Sequence, residues 1–368
     1  MKQLLLIGGG HAHLAVMRDL AERPIPDTKV TLITPQPFQW YSGMIPGFMA
    51  GHYSAEECRI DLRSLIKQSG VDLILEPIIG FDANRQCVCL PDGTHIDYDI
   101  LSLDVGGATD TSWLSVGRTP TVPIKPLDAF IHHWGQIKEQ AKVRAEQKSS
   151  YHLAVVGAGA AGIELVLAAQ YALAQYPSVR ISLVGTPGGL LLGHGAKVKQ
   201  RIQRVLADKN VTFHPYRAVA TEEGLLLSSG DQLTVDCVLA STGAIAHEWL
   251  QLSHLALDDS GFVSVDEYHR CLSHDNVFAV GDVCSRVDGT VVRSGVHAVK
   301  VGPVLAKNLR AAASNHPLLP YTAKRNSLYL LSCGDRYGVM SWGNMSASGG
   351  WVWRWKDYID RRFVAYHS

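Results

Sequence analysis

The sequence predicts an α/β fold of parallel sheets flanked by helices, because one pattern of strand, glycine turn and helix occurs twice along the chain. The first copy is "LLLIGGGHAHLAV" at residues 4–16, and the second is "HLAVVGAGAAGIELVLAAQYALA" at 152–174. Each is followed by a further apolar strand, "KVTLITP" and "RISLVGT", closing strand–helix–strand units of about 30 residues. Two dinucleotide-binding units of the Rossmann type are therefore expected, joined by other segments.

The remaining elements follow in order. "YDILSLDVGGATD" (98–110) reads as a strand ending in a tight glycine turn, "GRTPTVPIKP" (117–126) as a linker, and 127–147 as a helix. After the second unit, Val198, Ile202, Val205 and Leu206 recur at helical spacing. Strands are expected through 211–240, ending in "DCVLASTGA". "NVFAVGDVCSRVDG" (276–289) is another strand with a glycine–aspartate turn, and a helix is expected over 294–312, bent where Pro303 lacks an N–H donor. The last fifty residues read as a separate α+β piece: strands over 326–342, then the aromatic and basic tail "WVWRWKDYIDRRFVAY".

Composition narrows the function classes. The 368 residues are 46% apolar, enough for two or three buried cores. Thirty-four basic residues balance 34 acidic ones without a long basic run, which argues against a nucleic-acid partner and for small molecules. The opening apolar run is too short for a signal peptide, and no apolar stretch approaches the ~20 residues that span a bilayer. A cytoplasmic location is expected. Seven cysteines, at 58, 87, 89, 237, 271, 284 and 333, show no metal-ligand spacing, so reduced thiols and no metal centre are expected.

The chemistry concentrates at the glycine turns. Gly157, Gly159 and Gly162 complete G-x-G-x-x-G between strand and helix: one glycine turns the chain, one admits a pyrophosphate, and one lets helix and strand pack closely. Free amides and the helix dipole favour the phosphates. The first loop keeps Gly8 and Gly10 but carries His13 where the packing glycine belongs. It is expected to work as a variant site, with helix and strand pushed slightly apart. His11 or His13 either adds a hydrogen bond near the phosphates or is satisfied within the packing. Neither second strand ends in the acid that would accept from a ribose: Thr34 and Gly185 stand there, with Gln36 as a substitute in the first unit and no arginine after Gly185 for a 2'-phosphate.

The order "GGGHAH", "LDVGGAT", "GAGAAG", "LASTGA" and "VFAVGD" resembles the two-dinucleotide-domain flavoproteins. That group includes type II NADH dehydrogenases, sulfide:quinone oxidoreductases and pyridine nucleotide-disulfide oxidoreductases. "GGGHAHL", "YSGMIPG" and "WVWRWKDYIDRRF" resemble more closely the group also found fused to selenide, water dikinase. The resemblance implies FAD on the first unit and NAD(P)H as electron donor on the second. Gly8 and Gly10 would hold the FAD pyrophosphate, Gly106 and Gly281 would line the cofactor, and Asp282 would bond the ribityl chain. The helix starting near Ser294 or Gly295, with Val296, would face the flavin's pyrimidine end, where reduction places negative charge. "YSGMIPG" (41–47) matches the place of the helix beside the flavin ring; without a cysteine between 41 and 57, electrons cannot leave through a local dithiol. Glu164 matches a position near the nicotinamide and is expected as an exposed helix carboxylate, either catalytic or structural. The A-Q-x-A-x-Q quinone pattern would align with "GVHAVK" (295–300), where Val296 and Lys300 replace both glutamines. Lys300 either neutralises reduced flavin or an anionic substrate, or is solvated.

The implied organisation is an FAD-binding domain over 1–112 and 236–318, an NAD(P)-binding domain over 113–235, and a C-terminal segment over 319–368. The expected activity is an FAD-dependent NAD(P)H dehydrogenase passing electrons to a quinone or similar acceptor. Alternatives are a sulfide or selenium-analogue oxidoreductase with a vestigial nicotinamide site, which Cys333 could serve, and a non-catalytic flavin redox sensor. Trp351, Trp355, Tyr358 and Arg362 share one helical face. That face suits either a peripheral contact with the inner face of the cell membrane or a buried contact such as a homodimer interface.

Overall fold

A computed structural model describes residues 1–114, 118–289, 295–323 and 326–368, with the side chain of Leu114 excepted. Gly117 and Ser294, which the sequence assigns to the linker and to a helix start, lie outside the described residues. In chain order the elements that carry the architecture begin with β1 (Lys2–Ile7), α1 (His11–Glu22), β2 (Thr28–Ile33), β3 (Asp72–Ile74) and β4 (Ile100–Leu103). Next come β5 (Thr121–Pro123), α2 (Leu127–Glu146), β6 (Tyr151–Val156), α3 (Ala160–Leu173), β7 (Val179–Val184), α4 (Ala196–Asp208), β8 (Thr212–His214) and β9 (Cys237–Ala240). The chain continues through β10 (Val277–Ala279), α5 (Gly295–Ala313), β11 (Leu328–Ser332), β12 (Gly338–Trp342) and β13 (Met345–Gly349), and ends in α6 (Gly350–His367).

Two five-stranded parallel sheets result, ordered β10-β4-β1-β2-β3 and β5-β9-β6-β7-β8. They share one plan. The glycine-turn strand is central, the next strand in sequence lies on one side, and on the other side a strand from much later in the chain reverses the order. That reversal leaves a crevice at the C-terminal strand ends, where α/β sheets bind ligands. Strand β9, which the sequence groups with the first unit, is hydrogen-bonded beside β6 in the second sheet, with Leu153 opposite Cys237.

Both central strands are buried on two faces, which explains their unbroken apolar runs. Leu4 and Leu6 of β1 pack with α1 and with Val301, Leu305 and Leu309 of α5, whereas Leu5 and Ile7 pack on the opposite side with Val88, Leu101 and Val277. The second unit repeats this alternation: Leu153 and Val155 face α3, and Ala154 and Val156 face the hairpin sheet around Leu225. The 40–50 segment, a 3-10 turn at Ser42–Met44 and a short helix at Ile45–Met49, packs with Ile163, Leu167 and Trp353. It thereby joins the first unit to the second and to the C-terminal piece, where α6 lies on an antiparallel sheet of β11, β12 and β13.

Candidate functional site

The two glycine loops are built alike at their first glycine. Gly8 (φ +89°) and Gly157 (φ +117°) pass so close to the neighbouring strand that a Cβ would fall 2.4 Å from the Asp104 carbonyl oxygen and 2.1 Å from that of Ser241. Residues 104 and 241 are therefore equivalent positions. The third place differs. At Gly162 the helix touches the first glycine directly, and a Cβ would lie 1.7 Å from the Gly157 carbonyl oxygen.

His13 meets the same carbonyl with a hydrogen bond. Its Nδ1 donates to Gly8 O at 2.6 Å, which leaves Nε2 as the acceptor for the Ser102 hydroxyl at 2.8 Å. The ring is fully buried and held neutral, its pKa pulled down to about 4 by burial. Of the two readings for His13, the structure adopts the packing one: both ring nitrogens are engaged inside the protein, so the side chain has none left for a phosphate. His11 differs. Its Nε2 is buried without a partner among the described residues, and its ring lies between Tyr41 (5.5 Å) and Phe363 (5.9 Å).

Asp104, which sequence reasoning read only as part of a strand and turn, lines this loop. Its Oδ2 accepts from the amides of Ala12 (2.8 Å) and His13 (3.1 Å), and a Cβ on Gly10 would fall 2.3 Å from its carboxyl carbon. Gly281 flanks the same carboxyl on the other side. Burial raises the Asp104 pKa to about 7. Asp282 follows on a 3-10 turn, Gly281–Val283. One of its oxygens pairs with the Lys125 ammonium, while Oδ1 is buried without a partner among the described residues. Lys125 was also missed, because a lysine in a proline-rich linker carries no sequence signal.

The remaining predicted residues fall around this cradle. Gly295 opens α5, where a Cβ would lie 3.5 Å from Ser42 Oγ, and Val296 beside it is half-buried. Gly106 makes the turn after β4 at φ +70°. Thr34 is buried beside Gly9 at the end of β2, and Gln36 is half-buried two residues on. Lys300 Nζ reaches the Ser327 hydroxyl at 3.2 Å, so Lys125 rather than Lys300 is the cation paired with Asp282. In the second loop, no described residue stands within 4 Å of a Cβ on Gly159, and the Ser241 hydroxyl is buried without a partner among the described residues. Gly185 lies against Ala158 and Phe213, so no carboxylate or guanidinium side chain occupies that position.

Glu164 corrects the expectation of an exposed carboxylate. Only 15% of its side chain is exposed, it accepts from the Ser332 amide at 2.8 Å, and Lys356 Nζ of α6 lies 4.0 Å away. That ammonium is committed elsewhere, to Asp360 and the Gly43 carbonyl, both at 2.7 Å. Burial consequently outweighs the lysine and raises Glu164 to about 7. For Lys356, burial pulls down but Asp360 and Glu164 prevail, and its pKa is raised. The Tyr41 hydroxyl completes the set by donating to Asp360 at 3.1 Å. Cys333 is fully buried nearby with its thiol pKa pushed up by burial and by Glu164, which disfavours a nucleophilic role. Tail periodicity had shown only the aromatic face of α6; Lys356 and Asp360, four apart on the inner face, carried the overlooked signal.

Known proteins share this fold. The chain is 26% identical to oxidoreductase ptaL of Pestalotiopsis fici over 95% of this chain and 94% of that protein. It is 25% identical to an NADH dehydrogenase-like protein of Mycobacterium tuberculosis over 87% and 82%. The solved sulfide:quinone oxidoreductase of Aquifex aeolicus superposes with a TM-score of 0.83 at 17% identity, covering all of this chain and 91% of that one. The model of the family described as pyridine nucleotide-disulphide oxidoreductase matches residues 2–317, across both sheets and both glycine loops. Two crevices of one design, each with an unpartnered polar atom beside its glycines, are what two dinucleotides require. The chain belongs to the pyridine nucleotide-disulphide oxidoreductase family and is an enzyme that works with FAD and NAD(P)H.

Proposed function

We propose that the enzyme oxidises NADH or NADPH and delivers the electrons through its flavin to a quinone. The observation that carries this reading is the largely buried set of Glu164, Lys356, Asp360 and Tyr41. A quinone takes up two protons with two electrons, and a carboxyl titrating near 7 is matched to hold and give one at neutral pH. Lys356 keeps positive charge beside it, which stabilises Glu164 after its proton has left. No cysteine lies between 41 and 57, and Cys58 is a single buried thiol pushed up to about 12 by burial, so a dithiol exit is disfavoured. The A. aeolicus likeness adds support for the acceptor class.

When bound, FAD supplies two-electron redox chemistry, and the protein supplies binding, orientation and electrostatics. In this proposal the backbone at Gly8, Gly10 and His11 holds the pyrophosphate, with Gly106 and Gly281 giving close approach. Asp282 Oδ1 accepts from the ribityl chain, and Thr34 and Gln36 lie toward the adenosine end. The α5 N-terminus, through Gly295 and Val296, faces negative charge arriving at the pyrimidine end. Gly157, Gly159 and Gly162 take the nicotinamide dinucleotide, with the Ser241 hydroxyl beside them.

Anaerobic rapid mixing tests the reading. NADH or NADPH should bleach the flavin band, and a short-chain quinone should restore it. Glu164→Gln should slow the second phase by about a hundredfold or more and flatten its pH dependence around 7, the size expected of one proton donor. Bleaching that no quinone reverses would refute the acceptor.

We infer in addition that the outer face of α6 rests on a membrane surface. Trp351 (49% exposed), Trp355, Tyr358 (60%) and Ile359 stand outward beside Arg354 and Arg362, and Trp342 and Met345 of the adjoining sheet are exposed too. Aromatic rings mixed with guanidinium groups suit the headgroup layer. Among the described residues no helix is long and apolar enough to cross a bilayer. Cosedimentation with anionic vesicles should be lost when Trp351 and Trp355 become serine; unchanged binding, or a dimer formed through this face, would refute the contact.

A further inference from the structure

The equivalence of residues 104 and 241 exposes a difference between the two loops that the family pattern does not require. At 241 the position holds a serine; at 104 it holds an acid. Asp104 is 5% exposed, and its partners among the described residues are two backbone amides and no cation. Both amides bond to Oδ2, so the carboxyl occupies N–H groups at the positive end of α1 that would otherwise face the dinucleotide's diphosphate. Oδ1 is turned the other way, 3.1 Å from where a side chain on Gly281 would begin. The carboxyl is thus clasped between Gly10 and Gly281, two glycines of the cradle, and forms part of its wall.

An ionised carboxylate in that wall would oppose an anionic diphosphate. We propose that Asp104 is a cofactor-binding residue that carries a proton on Oδ1 when FAD is bound and donates it as a hydrogen bond to the dinucleotide, so that holding FAD is coupled to holding one proton.

The surrounding charges favour this. From the 3-10 turn after β10 comes a second carboxylate, Asp282, which raises Asp104 further, and Lys125 is spent on Asp282. From α1, His13 is neutral and engaged by Gly8 and Ser102, and His11 is held neutral at about 4 by burial. Burial, opposed by the two amide hydrogen bonds and helped by Asp282, lifts Asp104 to about 7, and a bound diphosphate moves it in the same direction as Asp282. The protonated form is therefore the one compatible with cofactor. As pH rises above about 7, the ionised form gains in the free protein and FAD is released more readily.

The test uses the flavin-loaded protein diluted to nanomolar concentration at several pH values, with released FAD read by its fluorescence. The apparent dissociation constant should rise toward tenfold per pH unit between about 7 and 9, as one linked proton requires. Asp104→Asn, which keeps an oxygen for the two amides and offers N–H groups in place of the O–H, should bind at pH 9 as tightly as at pH 6. Asp104→Ser, copied from the second loop, should also be pH-flat and guards against an asparagine variant that fails to fold. A flat wild-type profile, or an unchanged slope in both variants, overturns the proposal. A protein holding no flavin at pH 6 would fail the cofactor assignment itself, and this inference with it.

Discussion

At the scale of single residues, the first glycine loop shows how a geometry shared by the two loops tolerates an unexpected side chain. Gly162 and His13 solve one problem, the exposed carbonyl of the turning glycine, by contact in one case and by a hydrogen bond in the other. Replacing His13 with alanine would leave the Ser102 hydroxyl and the Gly8 carbonyl buried and unpaired beside a cavity. The expected loss is about 2–5 kcal/mol in urea unfolding. The titration has a definite sign. His13 is held near 4 when folded and rises to about 6.5 when unfolded, so protonation favours unfolding as pH falls. The His13 contribution is lost between about pH 6.5 and 4, while Asp104 and Glu164, raised to about 7, act in the opposite direction over the same window. The check is therefore the difference: His13→Ala should lose less stability across that window than the wild type, and equal slopes would contradict it. His11 and His269, also held near 4, add to the wild-type slope. The loop itself was legible because glycine spacing is dictated by backbone geometry. Asp104 and Lys125 were not, since their importance comes from strands and turns brought together across the fold.

At the scale of elements, the close pairing of α1 with α5 sets where the α5 N-terminus points. Gly302 allows it: a Cβ there would lie 2.8 Å from that of Ala15 and 3.1 Å from the Ala12 carbonyl oxygen. Gly302→Val should force the helices apart, costing roughly 1–3 kcal/mol as overpacking does. It should also loosen flavin retention through the shift of Gly295, measured as faster FAD release at pH 6. Unchanged stability would mean that the helices separate freely. The longer helical periods were readable, and α2, α4 and α5 fall where apolar spacing and the neighbouring strands put them, whereas the short helix Leu62–Ser69 was not read. The element hardest to read was α6, because aromatic rings dominate its pattern on one side while the ion pairs of the other side are invisible until the helix docks. The strand Met345–Gly349 was likewise unmarked, being short and rich in small polar residues.

At the scale of the whole molecule, two sheets of the same plan are tied together by polar links that include the Lys125–Asp282 pair. Lys125 leaves the linker into the second unit and pairs with Asp282 in the first. Lys125→Gln should weaken FAD retention by roughly tenfold, the size of a lost charge-assisted hydrogen bond, while Lys125→Arg should recover most of it. Equal retention in both variants would make the pair incidental. The repeat of strand, turn and helix disclosed both units in advance. Strand β9's place in the second sheet was not disclosed, because its sequence neighbours run on toward the first unit and only pairing with β6 decides the matter.

The closing helix carries different side chains on opposite sides of a single 18-residue rod, exposed indoles outward and Lys356 and Asp360 inward. Whatever grips its outward indoles also pulls, through a stiff backbone, on the ammonium that steadies the buried glutamate. Clipping the polypeptide after Gly349 would accordingly do more than detach a handle: it would take Lys356 from beside Glu164, Asp360 from Tyr41 and Phe363 from the ring of His11.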